Sequence, residues 1–226
     1  MSAPEFDKYA DAYEAMHQRS IAFSGCEPAY FAEYKVAFAA SVIRDPSTIV
    51  DFGAGIGNSI PHFRRYFPQA RLICADNSAE SLALAAQRFP GPEQMLPIHE
   101  TLPLEEGSSE LTFAACVFHH IEPNAHRPWL RELLRVTSGR GVFVLFEHNP
   151  YNPLTRKAVA GCEFDRDAIL IKARTMVKAL SEAGWSDIRL RYHVFFPQAL
   201  ATLRMLEPAL GWLPLGGQYS VTARRH

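Results

Sequence analysis

Ile49-Val50-Asp51-Phe52-Gly53-Ala54-Gly55-Ile56-Gly57-Asn58-Ser59 decides how this chain folds. A run of apolar, β-favouring residues enters it, three glycines alternate through it, and a helix-forming segment, Ile60 to Phe67, leaves it. The order is strand, tight turn, helix. A turn that carries backbone up against a ligand leaves no room for a Cβ and often needs φ > 0, which glycine supplies. The helix beyond it aims free N–H groups and the positive end of its dipole at whatever lies over the turn. The dinucleotide fingerprint wants glycine at the first, third and sixth positions. Here the glycines fall at the first, third and fifth, and Asn58 holds the sixth.

Asp51, just before the first glycine, adds a second constraint. A carboxylate at that strand end would repel a pyrophosphate but suits a ligand carrying an ammonium group. With Asp51, Gly53, Gly55 and Gly57 in place, the stretch resembles motif I of the class I S-adenosylmethionine-dependent methyltransferases, an acid, one residue, then G-x-G-x-G. Arg71-Leu72-Ile73-Cys74-Ala75-Asp76 is a short strand ending in an acid, the placement expected of a carboxylate that accepts from ribose hydroxyls; Asn77 stands beside it. The resemblance further implies an acid near a Leu-Pro turn that accepts from the adenine amino group. The turn is Leu102-Pro103-Leu104, but the usual acid position holds Ile98. Glu100 is therefore the candidate, with backbone at Ile98 and His99 as the fallback. Phe6-Asp7-x-x-Ala10-x-x-Tyr13 looks like the N-terminal lid of many small-molecule methyltransferases, which implies Tyr13 near the methionine end. A helix that merely packs its aromatic side on the domain is the other reading.

Working outward, the 226 residues, 48% hydrophobic, can bury one α/β core, and the whole chain, 1–226, reads as a single domain. It has a helical lid over 1–45 and an added helix over 198–212 before the last strand. A net charge of -1 marks no nucleic-acid or membrane partner. Cys26, Cys74, Cys116 and Cys162 lie far apart without C-x-x-C spacing, as reduced cysteines of a cytoplasmic protein would. The N-terminus lacks the pattern of a signal peptide, and no apolar stretch approaches a membrane span.

The remaining segments predict a seven-stranded, mostly parallel, Rossmann-like α/β sheet with helices on both faces. A helix from Pro28 to about Ile43 offers Phe31, Tyr34, Phe38 and Val42 to the core, with Lys35 as either a snorkelling surface lysine or a partner for a ligand carboxylate. Strands are expected at Thr48 to Phe52, Arg71 to Asp76, Gln94 to His99, Leu111 to Val117, Val142 to Phe146, Ile188 to Phe196 and Gln218 to Ala223. Ser78 caps a helix from Ala79 to Phe89. A helix over Arg127 to Val136 holds Pro128 in its first turn, and one over Lys172 to Glu182 is closed by Gly184. Ala199 to Leu210 reads as a further helix, rich in Leu and Met and packed in the core.

Two stretches carry the candidate chemistry. His119-His120 looks like the pair of histidines that follows the fourth strand in many small-molecule methyltransferases; as neighbours they are expected to point to different sides, so that only one faces substrate. Ala114-Ala115-Cys116-Val117 stands where other methyltransferases carry Asn-Pro-Pro-Tyr, which argues against methylation of a planar amide or exocyclic amine. Glu147-His148-Asn149-Pro150-Tyr151-Asn152-Pro153-Leu154-Thr155-Arg156 ends a central strand, where polar residues border the crevice of an open sheet. Glu147, His148 or Arg156 contacts substrate there, or the loop is rigid and its polar groups satisfy one another. No Cys or His spacing suggests a metal. The function implied is S-adenosylmethionine-dependent O-methylation of a small-molecule acceptor, a glycan precursor or secondary metabolite, with His119, His120 or His148 as base and Glu147 orienting one of them. A non-catalytic S-adenosylmethionine-binding protein and a nicotinamide-dependent oxidoreductase are the alternatives.

Overall fold

A computed structural model describes residues 28–162, 165 and 167–226. Its seven strands are β1 Thr48–Phe52, β2 Arg71–Asp76, β3 Gln94–Pro97, β4 Ser109–Ala115, β5 Thr137–His148, β6 Ser186–His193 and β7 Gln218–Arg224. They form one sheet in the order β3-β2-β1-β4-β5-β7-β6. From β3 to β5 every pairing is parallel, and β7 inserts antiparallel between β5 and β6. Helix α1, Pro28–Val42, precedes β1; α2, Ile60–Tyr66, and α3, Ala79–Arg88, follow β1 and β2; α4, Pro123–Val136, leads into β5, and α5, Pro153–Ala160, and α6, Ala173–Ala183, follow it.

The central strands are buried on both faces, so their side chains alternate between two cores. Along β5, Phe143 and Leu145 join Val50, Phe52, Leu130, Leu133, Met176 and Leu180 on one face. Val142, Val144 and Phe146 join Ile49, Ile60, Phe63, Leu82 and Phe113 on the other. Gly184 closes α6 in the left-handed region at φ 104°, as its position predicts, and Ser78 Oγ accepts the Ser81 N–H at 3.0 Å to cap α3.

Several expectations are corrected. Pro128 lies inside α4 and not in its first turn, because Pro123 already starts the helix. On α1 the buried residues are Phe31, Ala32, Val36 and Ala39, with Tyr34, Phe38 and Val42 at the edge of that stripe. The small residues let the helix lie close to the sheet, and the larger rings reach around its sides; Phe38 meets Phe146 edge to face at 5.4 Å between centroids. Ala199 to Leu210 is not a core helix. It is a 3₁₀ segment, Gln198–Leu206, broken at Leu200, followed by the short helix Glu207–Leu210. Leu200, Leu203, Met205 and Leu206 are exposed, and the buried side chain is Glu207, whose carboxylate accepts the N–H groups of Phe195 and Phe196. Among the described residues no helix is long and apolar enough to cross a membrane.

Candidate active site

In an open parallel sheet the crevice forms where strand order reverses, at the carboxyl ends of the strands. Here that point lies between β1 and β4, and a cavity of about 460 Å³ opens over it. The turn after β1 forms one wall. Gly53 sits at φ 75°, and a Cβ there would come within 2.3 Å of Val117; Gly55, at φ 52°, has only open space where its Cβ would stand. The two glycines therefore do different work, one packing backbone against β4 and the other leaving the cavity clear.

Asp76 ends β2 and ties this turn down. Its Oδ2 accepts the Gly55 N–H at 2.8 Å and its Oδ1 the Ser78 N–H at 2.9 Å. Asp51 is fully enclosed beside it, and its Oδ2 accepts no hydrogen bond from the described residues. Burial, then the neighbouring charge of Asp76, push its carboxyl up to about 7, with Lys35 opposing them. A buried carboxylate oxygen without a partner is costly, and an ammonium group placed in the cavity would relieve that cost. Asn77, Ile98 and His99 also line the cavity, whereas Glu100 is exposed and does not. The strand stops at Pro97, two residues earlier than the sequence suggests, and the Ile98 N–H turns back to the Asp76 carbonyl at 2.9 Å. That bend carries Glu100 away to solvent and leaves the fallback positions, Ile98 and His99, at the wall. Tyr13 lies outside the described residues.

The opposite wall is built on β4 and β5. Glu147, 1% exposed at the end of β5, accepts the N–H groups of Val117 and Phe118 at 3.0 and 2.7 Å through Oε1, and His119 Nδ1–H at 2.6 Å through Oε2. Burial acts to raise its carboxyl, but His119 outweighs this and brings it down to about 2. Burial likewise acts to lower His119, and Glu147 with Asp165 carries it up to about 10. The pair is thus an oriented, charge-paired unit.

The expectation that His119 and His120 point apart assumed strand-like alternation. They lie in a 3₁₀ turn, Phe118–His120, whose carbonyls at Phe118 and Ile121 are both held by His126 Nε2 at 2.9 and 2.8 Å. This turn swings both rings to the cavity, with centroids 4.1 Å apart, and His148 packs 5.1 Å from His119. Asp165 completes the group, with Oδ1 3.2 Å from His120 Nε2 and 3.6 Å from His119 Nε2. The sequence offered no pointer to Asp165, which stands in a non-periodic stretch and comes near through the Ile169 N–H bonded to the His119 carbonyl at 2.8 Å.

Lys35 is not a solvated surface lysine. Half-buried on α1, it places Nζ 3.1 Å from Cys116 Sγ, on the cavity wall. Burial acts to raise that thiol, but His148 and Lys35 outweigh it and bring it down to about 6. Arg156 is exposed on the outer side of α5 and does not line this cavity. Within the Asn-Pro stretch, Asn149 and Asn152 satisfy backbone, Asn149 donating to Gly216 and Asn152 capping α5 through Thr155. The stretch therefore divides: Glu147 and His148 serve the cavity and the asparagines hold the loop.

Residues 50–145 match the family described as "Methyltransferase domain". A trans-aconitate 2-methyltransferase of Azoarcus sp. is 31% identical over 145 residues, covering 64% of this chain and 56% of that protein. The chain spans about half the length, or less, of the curated relatives it matches. Among solved structures, a possible histamine N-methyltransferase from Thermotoga maritima superposes with a TM-score of 0.69 at 15% identity, covering 98% of each chain. Human N-acetylserotonin methyltransferase, solved with S-adenosylmethionine, superposes at 0.67 and 15% identity over all of this chain and 60% of that one.

Proposed function

We propose that the chain, from its fold and the match of its residues 50–145, is a class I S-adenosylmethionine-dependent methyltransferase, and that it methylates an oxygen of a small-molecule acceptor. The observation that carries this reading is the shared cavity: a glycine turn beside a buried carboxylate, whose Oδ2 accepts no hydrogen bond from the described residues, forms one wall, and three clustered histidines form the other.

S-adenosylmethionine would supply a methyl group on a sulfonium whose loss leaves a neutral thioether. Asp51 fits its ammonium group, Asp76 and Asn77 its ribose, and Ile98 and His99 the adenine end. The clearance beside Gly55 gives the ligand room to lie along the turn. The protein's own part is to align the acceptor with the methyl and keep water out. A hydroxyl acceptor must also shed its proton as the new O–C bond forms, and His120 or His148 takes it, since His119, charge-paired with Glu147, already holds its own. Glu147 accepts from His119 Nδ1 and fixes the orientation of the ring, whose Nε2 faces Asp165.

A carboxylate acceptor is the second reading, favoured by the half-buried Lys35 cation on the wall and by the name of the curated relatives. Such an acceptor holds no proton at neutral pH and needs no base. Alanine at His119, His120 or His148 in turn should cost a hydroxyl acceptor about 100-fold or more in kcat at one position. All three variants should leave carboxylate turnover within a few fold.

The test of the cofactor is calorimetric titration of the purified protein with S-adenosylhomocysteine, with NAD as control. Micromolar binding of the former alone, about -8 kcal/mol, is expected; binding of neither would move the chain to the non-catalytic reading, and binding of NAD alone to the oxidoreductase one. Asp76→Ala should weaken that binding roughly tenfold, the scale of one hydrogen-bonded charge, without unfolding the chain in circular dichroism. Unchanged affinity would remove Asp76 from the ligand.

A further inference from the structure

We propose that His119, His120 and Asp165 bind one divalent transition-metal ion on the cavity wall, and that this ion seats the acceptor oxygen. The second clause rests on the methyl-transfer reading above; the first does not.

The donor atoms of these three residues all lie within 4.8 Å of one another, the one such group of three found among the described residues. Two donors about 2.1 Å from an ion, at octahedral to tetrahedral angles, stand about 3.0–3.4 Å apart. Of the Asp165 Oδ1 contacts, the 3.2 Å to His120 Nε2 falls inside that range and the 3.6 Å to His119 Nε2 lies just above it. Asp165 Oδ1, in a side chain 7% exposed, meets both rings as charge contacts and accepts no aligned hydrogen bond from the described residues. A buried carboxylate oxygen facing two imidazole nitrogens is a donor set that a divalent ion satisfies.

The surroundings agree. Metal-bound histidines usually donate their other ring N–H to a carboxylate or carbonyl; His119 does so to Glu147, itself fixed by two backbone N–H groups. Asp165 and Glu147 together carry the two negative charges that offset a divalent ion in a buried place. All three ligands line the cavity, so the remaining coordination positions open into it. Two imidazoles with one carboxylate suit zinc, manganese, iron(II), cobalt or nickel and disfavour magnesium and calcium, which prefer oxygen ligands.

On such an ion an acceptor hydroxyl loses its proton more readily. The proton passes to His148, the histidine not engaged as a ligand, and the oxygen lone pair forms the O–C bond as the C–S bond breaks. The three histidines thus divide their labour, two holding the ion and one taking the proton.

The test uses the full chain freed of metal with a chelator and dialysed, titrated with cobalt(II) followed by visible absorption, with zinc as competitor and magnesium as control. One cobalt per chain, bound at micromolar Kd with ligand-field bands that zinc abolishes and magnesium does not, is expected. Asp165→Asn and His120→Ala should each weaken uptake by about 100-fold, with circular dichroism reporting their fold; if the first does not fold, the second decides. No uptake by the wild type, or uptake unchanged in a folded variant, would overturn the site. Titrating the same metal-free protein with S-adenosylhomocysteine keeps the two readings apart. Homocysteine-ligand binding without cobalt binding sinks the metal site alone, and cobalt binding without it sinks the methyl-transfer reading and leaves the site standing.

Discussion

Replacing Glu147 with Ala should lower the stability of the chain by about 3–5 kcal/mol in urea unfolding, the usual cost of removing one partner from a buried charged pair. The side chain is enclosed, and three donors depend on it: the N–H groups of Val117 and Phe118 and the His119 ring. All three would lose their acceptor at once, in surroundings that are largely buried. Glu147→Gln keeps a carbonyl oxygen for the two backbone groups but turns an amide toward His119 and removes the charge. Its stability loss should be the smaller, while its turnover should fall about 100-fold, because His119 loses both orientation and counter-charge. Equal stability of wild type and the Ala variant would mean that the network contributes nothing to folding.

The second large effect concerns Asp51. In the empty protein burial holds its carboxyl up to about 7, and pairing with a ligand ammonium requires the ionised form. Affinity for S-adenosylhomocysteine should therefore fall as pH drops through 7, by about tenfold for each unit below it. Asp51→Asn should bind about 100-fold more weakly at pH 7.5, within the 2–5 kcal/mol range measured for buried charge pairs, with the slope below pH 7 gone. Calorimetry between pH 5.5 and 7.5 reads both. The linkage sign also predicts a gain. A carboxyl whose folded pKa is raised stabilises fully below its unfolded value near 4 and loses that contribution as pH rises through 7. The empty Asn variant should thus unfold at a higher temperature than wild type above pH 7. A pH-independent wild-type affinity would show that Asp51 does not meet the ammonium.

The parts of the site legible in the sequence are those that local rules dictate. The turn from Asp51 to Asn58 follows from glycine spacing after an apolar run, Asp76 from its place at the end of a short strand, and Gly184 from helix termination. Position along the chain does not show which way a side chain faces after a strand stops. Residue spacing puts Glu100 near the adenine end, and a bend after Pro97 puts it in solvent. Adjacency predicts that His119 and His120 point to different sides, and a 3₁₀ turn brings them together. Asp165 joins histidines 45 or more residues away through tertiary packing alone, which no periodicity encodes. The Leu- and Met-rich segment before the last strand was read as core from its composition, yet its apolar residues are exposed and Glu207 is the one folded inward.

The single hydrogen bond from Gly55 N–H to Asp76 Oδ2 joins two recognition elements that sequence separates by a strand and a helix. On the proposed reading, a sugar held at Asp76 would thereby also press on the peptide that shapes the turn beside Asp51. A double-mutant cycle between Asp51 and Asp76 should return a coupling energy rather than a sum, the signature expected of a nucleoside half and an amino-acid half bound as one cooperative unit. Fragments carrying either half alone should bind with less than their share of the whole ligand's affinity.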